Sequence, residues 1–191
     1  MSRLLTRNRA LVMVGIAILT LAIGIYFQAT LIGYVMLLGH EPTNPREVID
    51  TSPDAINLEP NQLGTDWEQT HHESNESHSR VRLANTDGGI HGWAIEIIDS
   101  DIWVYESIEA AESSYDDRYT EIQSEYNNPV EINLGHEGVM YKGTSAVYVT
   151  FRDSNVIATV GFISTTGLWF EPRTLSAAKT LHTNIERNTD S

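Results

Sequence analysis

The chain has 191 residues, 41% of them apolar, with 26 acidic against 12 basic side chains and no cysteine. The missing cysteine excludes a disulfide framework, a thiolate metal site and a lipid-modified N-terminal cysteine. The formal charge of −14 is unevenly spread: no acid occurs among residues 1–40, whereas beyond them nine bases face all 26 acids, a net −17. A surface that negative repels nucleic acid, whose binding rests on neutralising phosphates, and it repels anionic headgroups.

The first predicted element is the apolar run Ala10–Leu38, 29 residues without a charge, interrupted by clearly polar side chains only at Thr20, Gln28 and Thr30. At about 1.5 Å per helical residue it exceeds the ~30 Å hydrocarbon core, which predicts a transmembrane helix over 10–38 with tilt. The rival reading is a cleaved signal, but such a segment has an apolar core of roughly 7–15 residues ending at a small-residue cleavage site. Arg3, Arg7 and Arg9 precede the run and Glu41, Glu47 and Asp50 follow it. Positive charge stays inside, so residues 1–9 are a cytoplasmic tail and the C-terminal domain is exterior. The cell membrane is then the expected location, with the bilayer as the first partner through residues 10–38. Gln28 is the one strongly polar side chain well inside the run, and it offers a hydrogen bond to a protein partner's helix.

Residues 39–60 carry Pro42, Pro45, Pro53 and Pro60 with neither helical nor alternating period, which predicts an extended stalk. The exterior domain follows over 61–187, with a short tail at 188–191. Residues 68–79, EQTHHESNESHS, are wholly polar and read as a loop. That loop holds Asn75-Glu76-Ser77, the chain's single N-x-S/T sequon and hence a candidate glycosylation site at Asn75. Alternation predicts strands at 80–84, 93–98 and 102–106, separated by turns at 85–89 and at Asp99-Ser100-Asp101. Ser107 caps a helix whose apolar positions Ile108, Ala111, Tyr115, Tyr119, Ile122 and Tyr126 recur every three or four residues, and Asn127-Asn128-Pro129 ends it. Strands follow at 130–134, 139–142, 146–152 and 155–163, with a turn over Gly135–Gly138 and a hairpin across Asp153-Ser154. A last helix starts near Pro172 and carries the stripe Leu175, Ala178, Leu181, Ile185. This order predicts an α+β domain, an antiparallel sheet packed on two helices.

Few residue groupings point to chemistry. His71, His72, Glu73, Glu76 and His78 suit zinc or copper by ligand type, yet their spacing matches no established site and H-E-x-x-H is absent. The reading is therefore no metal and no cofactor. His91 and His136 sit in glycine-flanked turns, and Asp116, Asp117, Glu121 and Glu125 lie on the solvent side of the first exterior helix. No serine has a G-x-S-x-G context and no glycine-rich phosphate loop is present, so no catalytic residue is assigned. Leu168, Trp169 and Phe170 form an aromatic cluster beside a loop, either a binding patch or core at the start of the last helix.

Two resemblances add to this. Acid excess, only two lysines (Lys142 and Lys179), no cysteine and abundant Asp, Glu, Ser and Thr resemble proteins of halophilic archaea. The Gly135-His136-Glu137-Gly138 turn, the Phe151–Val156 hairpin FRDSNV and the Ala110-Ala111 start of the first helix resemble small exterior sensor-type or lipoprotein domains of bacterial and archaeal envelopes, over roughly residues 55–187. The resemblance implies no shared catalytic residues. The functional expectation is a membrane-anchored exterior domain that binds a ligand or partner without catalysis. The alternatives are an accessory subunit of a larger membrane complex and a metal-dependent hydrolase using the His71–His78 loop.

Overall fold

A computed structural model describes residues 48–85, 95–164 and 171–189. The apolar run at 10–38, His91, the turn at 86–89 and the Leu168–Trp169–Phe170 cluster lie outside the described residues. Among the described residues, no helix is long and apolar enough to cross a membrane.

The described elements run α1 (Pro53–Ile56), α2 (Pro60–Leu63), β1 (Trp67–Ser74), β2 (His78–Asn85), β3 (Glu96–Val104), α3 (Ile108–Glu125), β4 (Val130–Ile132), β5 (Glu137–Lys142), β6 (Ala146–Asp153), β7 (Val156–Ser164) and α4 (Glu171–Thr189). The strands form one seven-stranded sheet in the order β1-β2-β3-β7-β6-β5-β4, with every neighbouring pair antiparallel. Two meanders thus meet at the sheet centre, where β3 and β7 align from Glu96↔Ser164 to Val104↔Val156. The α+β architecture with an antiparallel sheet is the one that the order of strands and helices predicts.

Period-two alternation assigns the two faces. Val147, Val149 and Phe151 of β6 lie opposite Phe162, Val160 and Ala158 of β7, and all six are buried in the main core. Helix α4 covers this face with Leu175, Ala177, Ala178, Leu181 and Ile185, also buried. Helix α3 covers the opposite face at β5–β7, through Ala111 and Tyr115 against Ile157 and through Ile122 against Val139 and Tyr141. Its start is capped as the sequence predicts: the Ser107 hydroxyl accepts from the Ala110 N–H at 3.1 Å.

Three expectations are corrected. From Ile49 onward, the segment read as stalk is folded onto the core face, with Ile49, Ile56 and Leu58 buried. Its apolar residues are seven and two positions apart among prolines, so no period betrays them. Buried amides fasten the segment instead: Asn57 Nδ2 donates to Ser79 Oγ at 2.9 Å, Asn57 Oδ1 accepts from Ser100 Oγ at 2.6 Å, and Asn184 Nδ2 donates to the Asn57 carbonyl at 3.3 Å. Second, the polar loop at 68–79 is a strand, a tight turn and the start of the next strand. As the sheet edge, β1 is exposed at seven of its eight positions, so it needs no apolar alternation to pair with β2.

Third, Asp99-Ser100-Asp101 is not a turn but the middle of β3, and the strands expected on either side of it are one strand. Ser100 points to Asn57 on the core face, while Asp99 and Asp101 face the other way toward arginines. Arg82 Nε and Nη2 hold Asp99 at 2.6 and 2.8 Å, and Arg80 lies 3.7 Å from Asp101. Cross-strand charge pairing thus stands in for the apolar partners a central strand usually has.

Candidate functional site

The metal-ligand candidates on the first hairpin are dispersed by strand geometry. Neighbours on a strand point to opposite faces, so His72 turns to the core face and meets Asp54 of α1 at 2.5 Å, while His71 pairs with Glu73 at 3.0 Å. His78, on β2, lies 3.2 Å from Asp101 and stacks on Trp103 at 4.9 Å, and the Arg118 guanidinium lies 4.0 Å from the same indole. Among the described residues no group of three or more His, Cys, Asp or Glu is placed to hold a metal ion. Asn75 sits exposed at the hairpin tip.

A cleft of about 360 Å³ opens between α3 and the β4–β5 turn. It exists because α3 buries only Ala111, Tyr115 and Ile122 and so leaves the sheet edge beside it uncovered. Tyr115, Asp116 and Tyr119 border the cleft from α3, Glu131 and Glu137 border it from the strands, and His136 from the turn between them. The Tyr115 and Tyr119 rings stack at 6.3 Å, and the Tyr119 hydroxyl donates to Glu131 at 3.1 Å. Burial pushes the Tyr115 phenol well above its usual range, with the nearby Glu137 charge adding to the effect. Tyr119 is raised too, by burial and by its bond to Glu131. Both phenols are therefore neutral hydrogen-bonding groups.

The turn that delivers His136 requires a glycine. Gly135 has φ +65°, and a Cβ there would stand 2.5 Å from the Arg152 carbonyl oxygen. That approach lets the His136 N–H donate to the same carbonyl at 2.8 Å and brings its Nδ1 to 2.7 Å from Asp153 Oδ1. The other Asp153 oxygen lies 2.9 Å from Nε2 of His182, a fully buried residue of α4 whose Nδ1 is 3.8 Å from Glu186. Asp153 therefore joins a cleft histidine to a core histidine. Burial alone would raise its pKa, but the two imidazoles set against its oxygens, His182 first and then His136, outweigh that and hold it below the usual carboxylate range.

Beside this chain of three, the buried Arg152 guanidinium reaches Glu137 at 2.5 Å and Glu112 at 3.7 Å, and donates to the Ser154 carbonyl at 3.3 Å. Its Nε finds no acceptor among the described residues.

A carboxylate behind an imidazole can orient it for proton transfer, and among the described residues the cleft is bordered by carboxylates, phenols and that imidazole. The chemistry the lining offers is recognition. Carboxylates of Asp116, Glu131 and Glu137 border the cleft beside two tyrosines, an environment suited to a positively charged group. Sequence reasoning placed Asp116 on a solvated helix face and His136 in an ordinary turn. The L-G-H-E-G run was the available signal, since only a glycine-bounded turn lets the histidine reach back to Asp153. Comparison with protein-family models, with curated proteins and with solved structures finds no match for this chain.

Proposed function

We propose that this chain is a single-pass, membrane-tethered exterior domain that binds a small cationic ligand, an amine or guanidinium, without transforming it. The tether is the uncharged run 10–38, oriented by Arg3, Arg7 and Arg9. The observation that carries the binding reading is the cleft, whose carboxylates and tyrosines border a volume of small-ligand size, with Arg152 set behind Glu137. The acid excess supports it by concentrating cations near the surface, and it supports a halophilic setting in which molar salt screens the self-repulsion.

The test is titration of the full chain in detergent micelles with spermidine, arginine methyl ester and a neutral polyol of similar size. The two cations should bind and the polyol should not. Glu131→Gln should weaken cation binding about tenfold, equivalent to about 1.4 kcal/mol. Equal binding of the polyol, or no binding of either cation, overturns the reading. The setting is tested separately: melting temperature should rise steeply between 0.1 M and 2 M potassium chloride, and a flat profile removes the halophilic reading.

A further inference from the structure

We infer that Asn75 is a site of N-linked glycosylation, an inference that rests on the exterior placement proposed above but not on the cleft. The sequon Asn75-Glu76-Ser77 is the turn of the β1–β2 hairpin, with all three residues exposed. The Asn75 N–H donates to the His78 carbonyl at 2.8 Å and closes the hairpin. Its side-chain oxygen accepts from the N–H groups of Ser77 and His78, both at 3.0 Å, and lies 3.4 Å from the Ser77 hydroxyl. Because two backbone donors converge on that atom, it is the oxygen, and the amide nitrogen is the atom left pointing away. The turn uses only Oδ1, which an aspartate would supply equally well; the exposed Nδ2 is what asparagine adds.

The geometry also presents what a glycosyl transferase must read. The amide and the hydroxyl two residues on stand together at the hairpin tip, clear of the sheet. Ser77 is held from behind, where its carbonyl accepts from the Val104 N–H at 2.9 Å. In the transfer, Asn75 Nδ2 forms a bond to the anomeric carbon of a glycan carried on a lipid phosphate. The bond from that carbon to the phosphate oxygen breaks, the lipid phosphate leaves with the electron pair, and the Nδ2 proton passes to a base of the transferase. The lipid-phosphate glycan is the co-reactant, and no redox change occurs.

The site has a physical use at this place in the fold. Among the described residues β1 is an end strand of the sheet, and an edge of that kind offers its backbone groups to another strand. A glycan at the end of that strand would sweep the edge and hinder pairing with another chain.

The experiment is intact and peptide mass spectrometry of the full chain isolated from native membranes, as wild type and as Asn75→Gln, Ser77→Ala and Ser77→Thr. Whole-cell protease accessibility of the domain is measured in parallel. Wild type and Ser77→Thr should carry added sugar mass on the peptide containing Asn75, and Asn75→Gln and Ser77→Ala should carry none. An unmodified wild type overturns the inference. If the domain is then accessible to protease, only the modification falls; if it is protected, the exterior placement falls with it. Sugar mass that persists in Asn75→Gln also overturns the assignment.

Discussion

The two faces of the sheet are closed by different means. On one, α4 and the 49–58 segment bury a continuous apolar surface. On the other, α3 contributes three buried side chains, and the middle of β2 and β3 carries Arg80, Arg82, Asp99 and Asp101. Apolar burial needs no particular ionic medium, whereas exposed charge pairs weaken as salt rises. The difference teaches where function can reside: the larger cleft lies on the face that α3 covers with few buried side chains, while the apolar face under α4 carries most of the core.

Variants on either face can break that contrast. The largest effect belongs to the apolar face: Leu181→Ala should cost about 2–5 kcal/mol in denaturant unfolding, with nearly the same loss at 0.2 M and 2 M potassium chloride. A strongly salt-dependent loss would mean that the faces are not energetically distinct. Next comes the rim of the cleft. Gly135→Ala forces a side chain into a left-handed conformation and against the Arg152 carbonyl, for about 1–3 kcal/mol from conformation alone. It should also abolish cation binding before the fold is lost.

Asp153→Asn should cost about 1 kcal/mol near neutrality, the difference between a charged and a neutral hydrogen bond. Its pH dependence is more telling. The folded carboxyl is held below its ordinary value of 3.8, so below that value the unfolded chain takes up its proton first. The stabilisation is thus present above the ordinary value and is lost as pH falls through the lowered folded one. Wild type should lose stability more steeply than Asp153→Asn between pH 5 and pH 3, and parallel curves would show that the two histidines do not act on Asp153. The smallest effect is on the charged half. Arg82→Ala should cost about 0.2–1 kcal/mol at 0.1 M salt and less at 1 M, where the screening length falls from ~10 Å to ~3 Å. A loss unchanged by salt would place the Arg82–Asp99 pair with the apolar core in behaviour.

These differences explain what the sequence could disclose. Elements with one buried face announce themselves by period: α4 through Leu175, Ala178, Leu181 and Ile185, and β6 through Val147, Val149 and Phe151. Elements fastened by polar groups do not. β1 carries no apolar alternation because it buries only Trp67, β3 hides two aspartates in mid-strand because arginines answer them across the ladder, and the 49–58 segment docks through Asn57 rather than through a stripe. The site was legible only as ingredients. His136 and Asp153 stand 17 residues apart, and His182 comes from α4, so their meeting depends on the sheet register and the Gly135 turn, which no local pattern encodes.

The buried Asn155 at the β6–β7 turn has a mechanical consequence. Its Oδ1 accepts from the Ile49 N–H at 2.7 Å, and its Nδ2 donates to the carbonyls of Ile49 at 3.1 Å and Tyr105 at 2.6 Å. One side chain thereby rivets the incoming end of the body to the turn that leads into β7, next to the nine-pair β3–β7 ladder. Tension drawn along the chain from the N-terminal side meets this rivet first and passes into the middle of the sheet, so it does not peel the exposed edge at β1. A pull from that side is thus shared by the longest ladder of the sheet before it reaches any edge.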